Sequence, residues 1–202
     1  MQDIIYINSI NLSKMAVIAL CFAIVLMCRK SAISRFDSNC LAFAMLFTLL
    51  ADVFLVPIFI PVLGVAFFCV VQVLYCARYA TARRHLRILP AAVLPGVAAF
   101  IFTRDALITI AAVYAALFLM SITFCVMMFA KKRYSAPNRH LMLAGMLLFM
   151  LCDICVAIFN SHMILDNVSP ALIDGARSAI WLFYVPGQVF LSISGYRFKR
   201  AT

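Results

Sequence analysis

The stretch "LAFAMLFTLLADVFLVPIFIPVLGVAFFCVVQVLYCA", Leu41 to Ala77, decides the fold. As one helix it would reach ~55 Å, nearly twice the ~30 Å of a bilayer's hydrocarbon core. It therefore has to turn, and "VPIFIP" puts Pro57 and Pro61 where the chain breaks. Two successive spans result, joined by a hinge without a charge, and the first of them carries Asp52.

The rest of the chain agrees with this reading. Of its 202 residues, 67% are hydrophobic and 12% charged, with a mean hydropathy of +1.10, which excludes an ordinary soluble domain. The apolar run Met15 to Cys28 is followed by Arg29 and Lys30 rather than by small residues, so it is expected to be a retained first span and not a cleaved leader. Seven spans are predicted, at about 11–28, 40–56, 62–78, 88–102, 106–130, 140–160 and 176–195. The fold class is thus an all-α polytopic transmembrane bundle, with residues 1–202 forming one integral membrane domain. The fourth span is the weakest, being short and carrying Pro90 and Pro95.

Basic residues orient the spans. With the N-terminus outside, the inner segments collect Arg29, Lys30, Arg35, Arg78, Arg83, Arg84, Arg87, Lys131, Lys132, Arg133, Arg139, Arg197, Lys199 and Arg200. These are all but Lys14, Arg104 and Arg177 of the 17 Lys and Arg, which predicts N-out and C-in. The same alternation explains the net charge of +10 as flanks that meet anionic membrane lipids, so no nucleic-acid partner is expected.

Eight cysteines in a short secreted domain would suggest disulfides, but Cys21, Cys69, Cys125, Cys152 and Cys155 sit inside apolar runs. Cys152 and Cys155 form a CxxC with no second pair or nearby His, and no cofactor or metal is expected from it.

The chain has no Glu. Of its seven Asp, positions 3, 37, 105, 166 and 174 are expected in termini or loops, which leaves Asp52 and Asp153 as the intramembrane carboxyls. Each costs ~2.5–3.5 kcal/mol at the centre of a span, so such residues face the bundle interior and mark a site. Helical spacing gathers polar neighbours: Arg177, Trp181, Tyr184, Gln188 and Ser192 on span 7, and Phe68, Gln72, Tyr75 and Tyr79 on span 3. Thr48 lies one turn before Asp52, and Ser121 two turns after Tyr114. Interhelical hydrogen bonds worth ~0.6 kcal/mol would account for the neutral groups singly, but not for two aspartates where Asn would bond equally well. Both Asp spans leave the inner side, and each Asp comes about thirteen residues in, so the two should lie at matching depth. Two nearby carboxyls poor in hydration favour sharing, one protonated and one charged, which makes an acid and a base by environment. "LLADV" and "MLCDI" also look alike, and each of these spans is followed by one with a central Gln, a faint repeat of spans 2 and 3 in spans 6 and 7.

Four segments, in order and spacing, resemble the YhhN-like family of membrane proteins, whose characterised members are lysoplasmalogenases. They are "LLADVFLV", "GVAFFCVVQVLY", "AGMLLFMLCDICVAI" and "FYVPGQVFLSIS", covering roughly Leu46 to Ser194. The chain departs from the family pattern with Ala51 in place of Gly, Gln72 in place of His and Cys152 in place of Ser, and with seven spans where relatives commonly have eight.

The resemblance implies a membrane hydrolase that cleaves the vinyl ether of a lysophospholipid, lysoplasmalogen, to a fatty aldehyde and a glycerophospho-alcohol. It implies Asp52 and Asp153 as the catalytic pair, with Asp153 as acid and Asp52 as stabilising anion or water base, or the reverse. Gln72, Tyr75, Tyr184 and Gln188 would hold water or substrate oxygens, and Arg177 would meet a phosphate or simply snorkel to the interface. A bacterial plasma membrane is the expected location. The same aspartates would also serve a small proton- or cation-coupled transporter, to which Pro90, Pro95 and Pro186 lend the idea of broken helices. A retinal photoreceptor is excluded, since every Lys (14, 30, 131, 132, 199) lies at a span end or in a flank.

Overall fold

A computed structural model describes residues 2–161 and 169–198, with side chains from Met15 onward. Seven α-helices are seen among them: α1 (Gln2–Met27), α2 (Arg35–Leu55), α3 (Pro61–Tyr79), α4 (Val93–Thr103), α5 (Ala106–Ala130), α6 (Ala136–Asn160) and α7 (Pro170–Ile193). Apart from an isolated bridge between Ala32 and Tyr196, the described residues form no β-structure. Four of the helices, α2, α3, α5 and α6, are long and apolar enough to cross a membrane, as is the stretch Arg83–Thr103 that contains α4.

Local chemistry sets the boundaries. Ser34 caps α2, its Oγ accepting the Asp37 N–H at 3.1 Å, and so the helix starts a turn before the apolar run. Pro61 opens α3, where a missing N–H costs nothing, and Phe59 takes the left-handed conformation (φ 59°) that the turn demands. Asp105 caps α5, its Oδ1 accepting from Leu107 N at 2.7 Å and Ile108 N at 3.0 Å. The fourth apolar segment is not the single helix expected over 88–102. Residues Arg83–Ala92 form a 3₁₀ helix containing Pro90, and α-helix begins only at Val93.

The packing closes a ring: α1 on α2, α2 on α3, α3 on α5, α5 on α6, α6 on α7, and α7 back on α1. Helix α4 stands outside it against α5, with Val93, Leu94, Val97, Phe100, Ile101 and Phe102 exposed. Two hairpins close where a glycine admits the neighbouring helix. A Cβ on Gly64 of α3 would lie 3.1 Å from the Ala51 carbonyl oxygen of α2. One on Gly145 of α6 would lie 2.7 Å from Leu191 Cγ and 3.1 Å from the Gly187 carbonyl oxygen of α7. Gly145→Ala is therefore expected to destabilise the bundle by about 1–3 kcal/mol, read as a lower Tm in detergent, because a backbone oxygen cannot rotate away.

One end of the bundle carries the basic flanks and a tight polar floor. Asp37, expected in a loop, is instead buried in the first turn of α2 and pairs with Arg78 of α3. Arg78 Nε reaches Asp37 Oδ1 at 2.8 Å and Nη2 reaches Oδ2 at 3.1 Å, with both side chains at 0–1% exposure. Tyr134 divides its O–H between Asp37 Oδ1 and the Arg78 carbonyl, 3.1 Å from each. Burial, and next the Asp37 carboxylate, push its phenol up to about 12, so it remains a donor. Asn138 of α6 donates to the Ser194 and Tyr196 carbonyls at 2.8 and 2.6 Å, and Gly195 packs between Leu41 and Asp37. A Ser34-x-x-Asp37 cap was the only sign in the sequence that this acid belongs to a helix. Nothing local reveals a partner 41 residues away.

Candidate functional site

Asp52 and Asp153 stand at the same height. Each is the eighteenth residue of its helix, counting from Arg35 in α2 and from Ala136 in α6. Each is also fifteen residues above the floor, since Asp37 and Asn138 both meet the chain around Gly195. At 1.5 Å per residue that is ~22 Å.

Each aspartate accepts a hydrogen bond from a tyrosine of another helix. Tyr184 of α7 donates to Asp52 Oδ2 at 2.6 Å, and Tyr114 of α5 to Asp153 Oδ2 at 2.5 Å. Ring contacts connect the two pairs.

A cluster of rings spans the gap. Phe149, one turn before Asp153, has Phe118 at 5.3 Å, Phe68 at 6.0 Å and Tyr184 at 6.2 Å between centroids. Tyr114 stacks on Phe118 at 5.8 Å and meets Phe68 at 5.9 Å. Of these rings only Phe68, Tyr114 and Tyr184 belong to the polar stripes of the sequence. Phe118 and Phe149 read as ordinary core, although each lies four residues from a functional partner.

The pairs differ in exposure. Asp52 (9%) and Tyr184 (8%) are buried in the ring, whereas Asp153 and Tyr114 are half-buried at the seam of α5 and α6. Helix α7 packs on both α2 and α6 and links the two aspartate helices.

The remaining predicted residues fall into two groups. Gln72 joins the site: its Oε1 accepts from Ser121 Oγ at 2.7 Å, and its amide nitrogen lies by the Tyr114 hydroxyl without a bond. Gln188 is fully buried one turn from Tyr184, and neither atom of its amide has a partner. Tyr75 lies deeper, toward the floor, stacked on Tyr79 at 5.7 Å, and its hydroxyl bonds to neither aspartate. Arg177 is exposed at the far end of α7, as a snorkelling residue is. Cys152 is buried and Cys155 half-buried, and among the described residues no three His, Cys, Asp or Glu side chains gather. Asp166, Lys199 and Arg200 lie outside the described residues, as do the side chains of Asp3 and Lys14.

Unpartnered polar atoms are concentrated between the floor and the aspartates. Thr48 Oγ1, Gln72 Nε2, Tyr75 OH, Tyr79 OH and both amide atoms of Gln188 are buried without a bond. Each costs ~1–3 kcal/mol when left unsatisfied, so buried groups of this kind call for a polar partner such as water.

Apolar helices of bilayer length around two carboxyl–phenol pairs define a membrane protein with an internal polar site. The chain belongs to the YhhN family, whose family model matches residues 10–195, nearly all of its length. No curated protein and no solved structure matches it.

Proposed function

We propose that the protein is a lysoplasmalogenase-like hydrolase that cleaves the vinyl ether of a lysoplasmalogen. The carrying observation is the pair of phenol-bonded aspartates at one height, linked by aromatic rings. Family membership supports the reading. The bundle would cross a bacterial plasma membrane seven times as one integral domain, N-out and C-in, with the basic end against anionic lipids of the cytosolic leaflet.

An enol ether is cleaved by protonating its β-carbon, which leaves an oxocarbenium ion. Water adds to that cation, and the hemiacetal collapses to aldehyde and alcohol. Asp153 suits the acid. It is half-buried at a seam open to the bilayer, where a lipid chain can reach it, and Tyr114 occupies Oδ2, which leaves Oδ1 to carry the proton. Asp52 suits the anion that takes the proton of the attacking water, with Tyr184 holding its orientation. The developing cation would meet the faces of Phe149 and Tyr114, a favourable contact for positive charge away from water. Gln72 and Gln188 offer free amide atoms to water or to the glycerol oxygens.

The transporter reading draws no support from broken helices. Pro90 and Pro95 lie in the segment outside the ring, and α7 runs through Pro186 as one helix. The deciding experiment is aldehyde release from lysoplasmalogen by purified protein in detergent, beside proton or cation flux in liposomes. Flux without lipid consumption would overturn the hydrolase.

Gln72 stands where relatives have His, beside Tyr114 and Ser121. Gln72→His adds a titrating group at the site and is expected to raise the rate of aldehyde release roughly tenfold. An unchanged rate would remove that position from proton transfer.

A further inference from the structure

The hydrolase reading leaves open how water reaches a carboxylate ~22 Å above the basic end, inside a ring of apolar helices. On α7, Ser192, Gln188 and Tyr184 follow one another at steps of four, one polar line about 12 Å long that ends on Asp52. Thr48 Oγ1, one turn below Asp52, and the Gln188 amide are buried and unpartnered there. At the lower end Ser192 gives its proton to the Val189 carbonyl, and Tyr75, three residues from Arg78 as Ser192 is three from Gly195, brings another buried, unpartnered hydroxyl to that depth.

This lower end opens to the surface. Ser38, Ser192 and Gly195 line a crevice of about 10 Å³, room for one water. Ser38 also lines a wider pocket of about 360 Å³ whose rim is Arg29, Lys30 and Arg35. The two openings share Ser38, and the crevice shares Ser192 with the line of α7.

We propose that the polar face of α7 is a water path, leading from a mouth at Ser38, Ser192 and Gly195 to the Asp52 carboxylate. It rests on the reading of Asp52 as the group that activates water. Water fits the path better than an ion does. The Gln188 amide offers N–H donors on one side and an acceptor oxygen on the other, both of which water satisfies, and among the described residues of α7 no acidic side chain lies between Ser192 and Tyr184, which holds Asp52. Three cationic side chains at the rim would also repel a proton or metal cation on approach. Lipid and water then arrive from different sides, the chain through the seam at Asp153 and the water along α7. The separation keeps the acid away from bulk water until substrate is bound.

Hydroxyl-radical footprinting of the full chain in detergent tests the path, since radicals formed from internal water oxidise the side chains beside it. Tyr184 and Tyr75 should be labelled roughly fivefold faster than Phe149, although all three are buried. Gln188→Leu should cut Tyr184 labelling by a similar factor, and Ser192→Val should cut the labelling of Tyr75 and Tyr184 together. The comparison of Tyr184 with Phe149 in the unaltered protein needs no variant to fold. Equal labelling of those two rings, or Tyr184 labelling untouched by both variants, overturns the path. Footprinting does not depend on turnover: the expected pattern in a protein that releases no aldehyde would refute the hydrolase and leave the path standing.

Discussion

Asp153→Asn is expected to lower aldehyde release by about 10²–10⁴-fold, the usual loss when a positioned proton donor is removed. Asparagine keeps the size of the side chain and an oxygen for the Tyr114 O–H, so the seam of α5 and α6 should hold its shape and the variant should keep its Tm. What it lacks is a proton acidic enough for an enol ether carbon. Asp52→Asn should be equally damaging in kcat for a different reason. Its amide still receives Tyr184 but cannot take a proton from water. The double variant should be little worse than either single one, because groups that act on one bond as a unit do not add. Full activity in both single variants would end the two-carboxylate mechanism.

Arg78→Met should produce the largest loss of stability. The guanidinium is buried with Asp37, and removing one member of such a pair leaves a charge with nothing to answer it, a cost of about 3–5 kcal/mol. For a chain of this size that is roughly 10 °C in Tm. Replacing both, as Asp37→Leu with Arg78→Met, should recover most of the loss, since buried pairs and apolar substitutes of similar volume are often nearly equal in stability. A double variant as unstable as the single one would show that Tyr134 and the Gly195 turn depend on the charges themselves. Aldehyde release should respond far less than Tm in folded samples, because the pair lies ~22 Å below the aspartates.

How far each part could be read in advance follows from the range of the forces involved. The break at Pro57 and Pro61 and the two costly carboxyls are local facts, written in a few residues each. The partners are not. Tyr114 is 39 residues from Asp153 and Tyr184 is 132 from Asp52, and periodicity says which face of a helix is polar but not which helix it faces. Asp37 was hidden for a related reason. A basic, polar flank looks solvated until Arg78 and Tyr134 fold over it. The position of α4 outside the ring had a sign in the sequence: between Val93 and Phe102 it has no polar side chain to turn inward.

The hairpin of α2 and α3 has a consequence for biosynthesis. Its turn, Ile58 to Pro61, carries no charge, so a translocon can pass both helices together with no hydrated loop to move across. The one expensive passenger is Asp52, and the phenol that receives it is made 132 residues later. At ~5–20 residues per second the carboxyl waits on the order of ten seconds for Tyr184. The Asp52 half of the site is thus completed only when α7 leaves the ribosome and closes the ring.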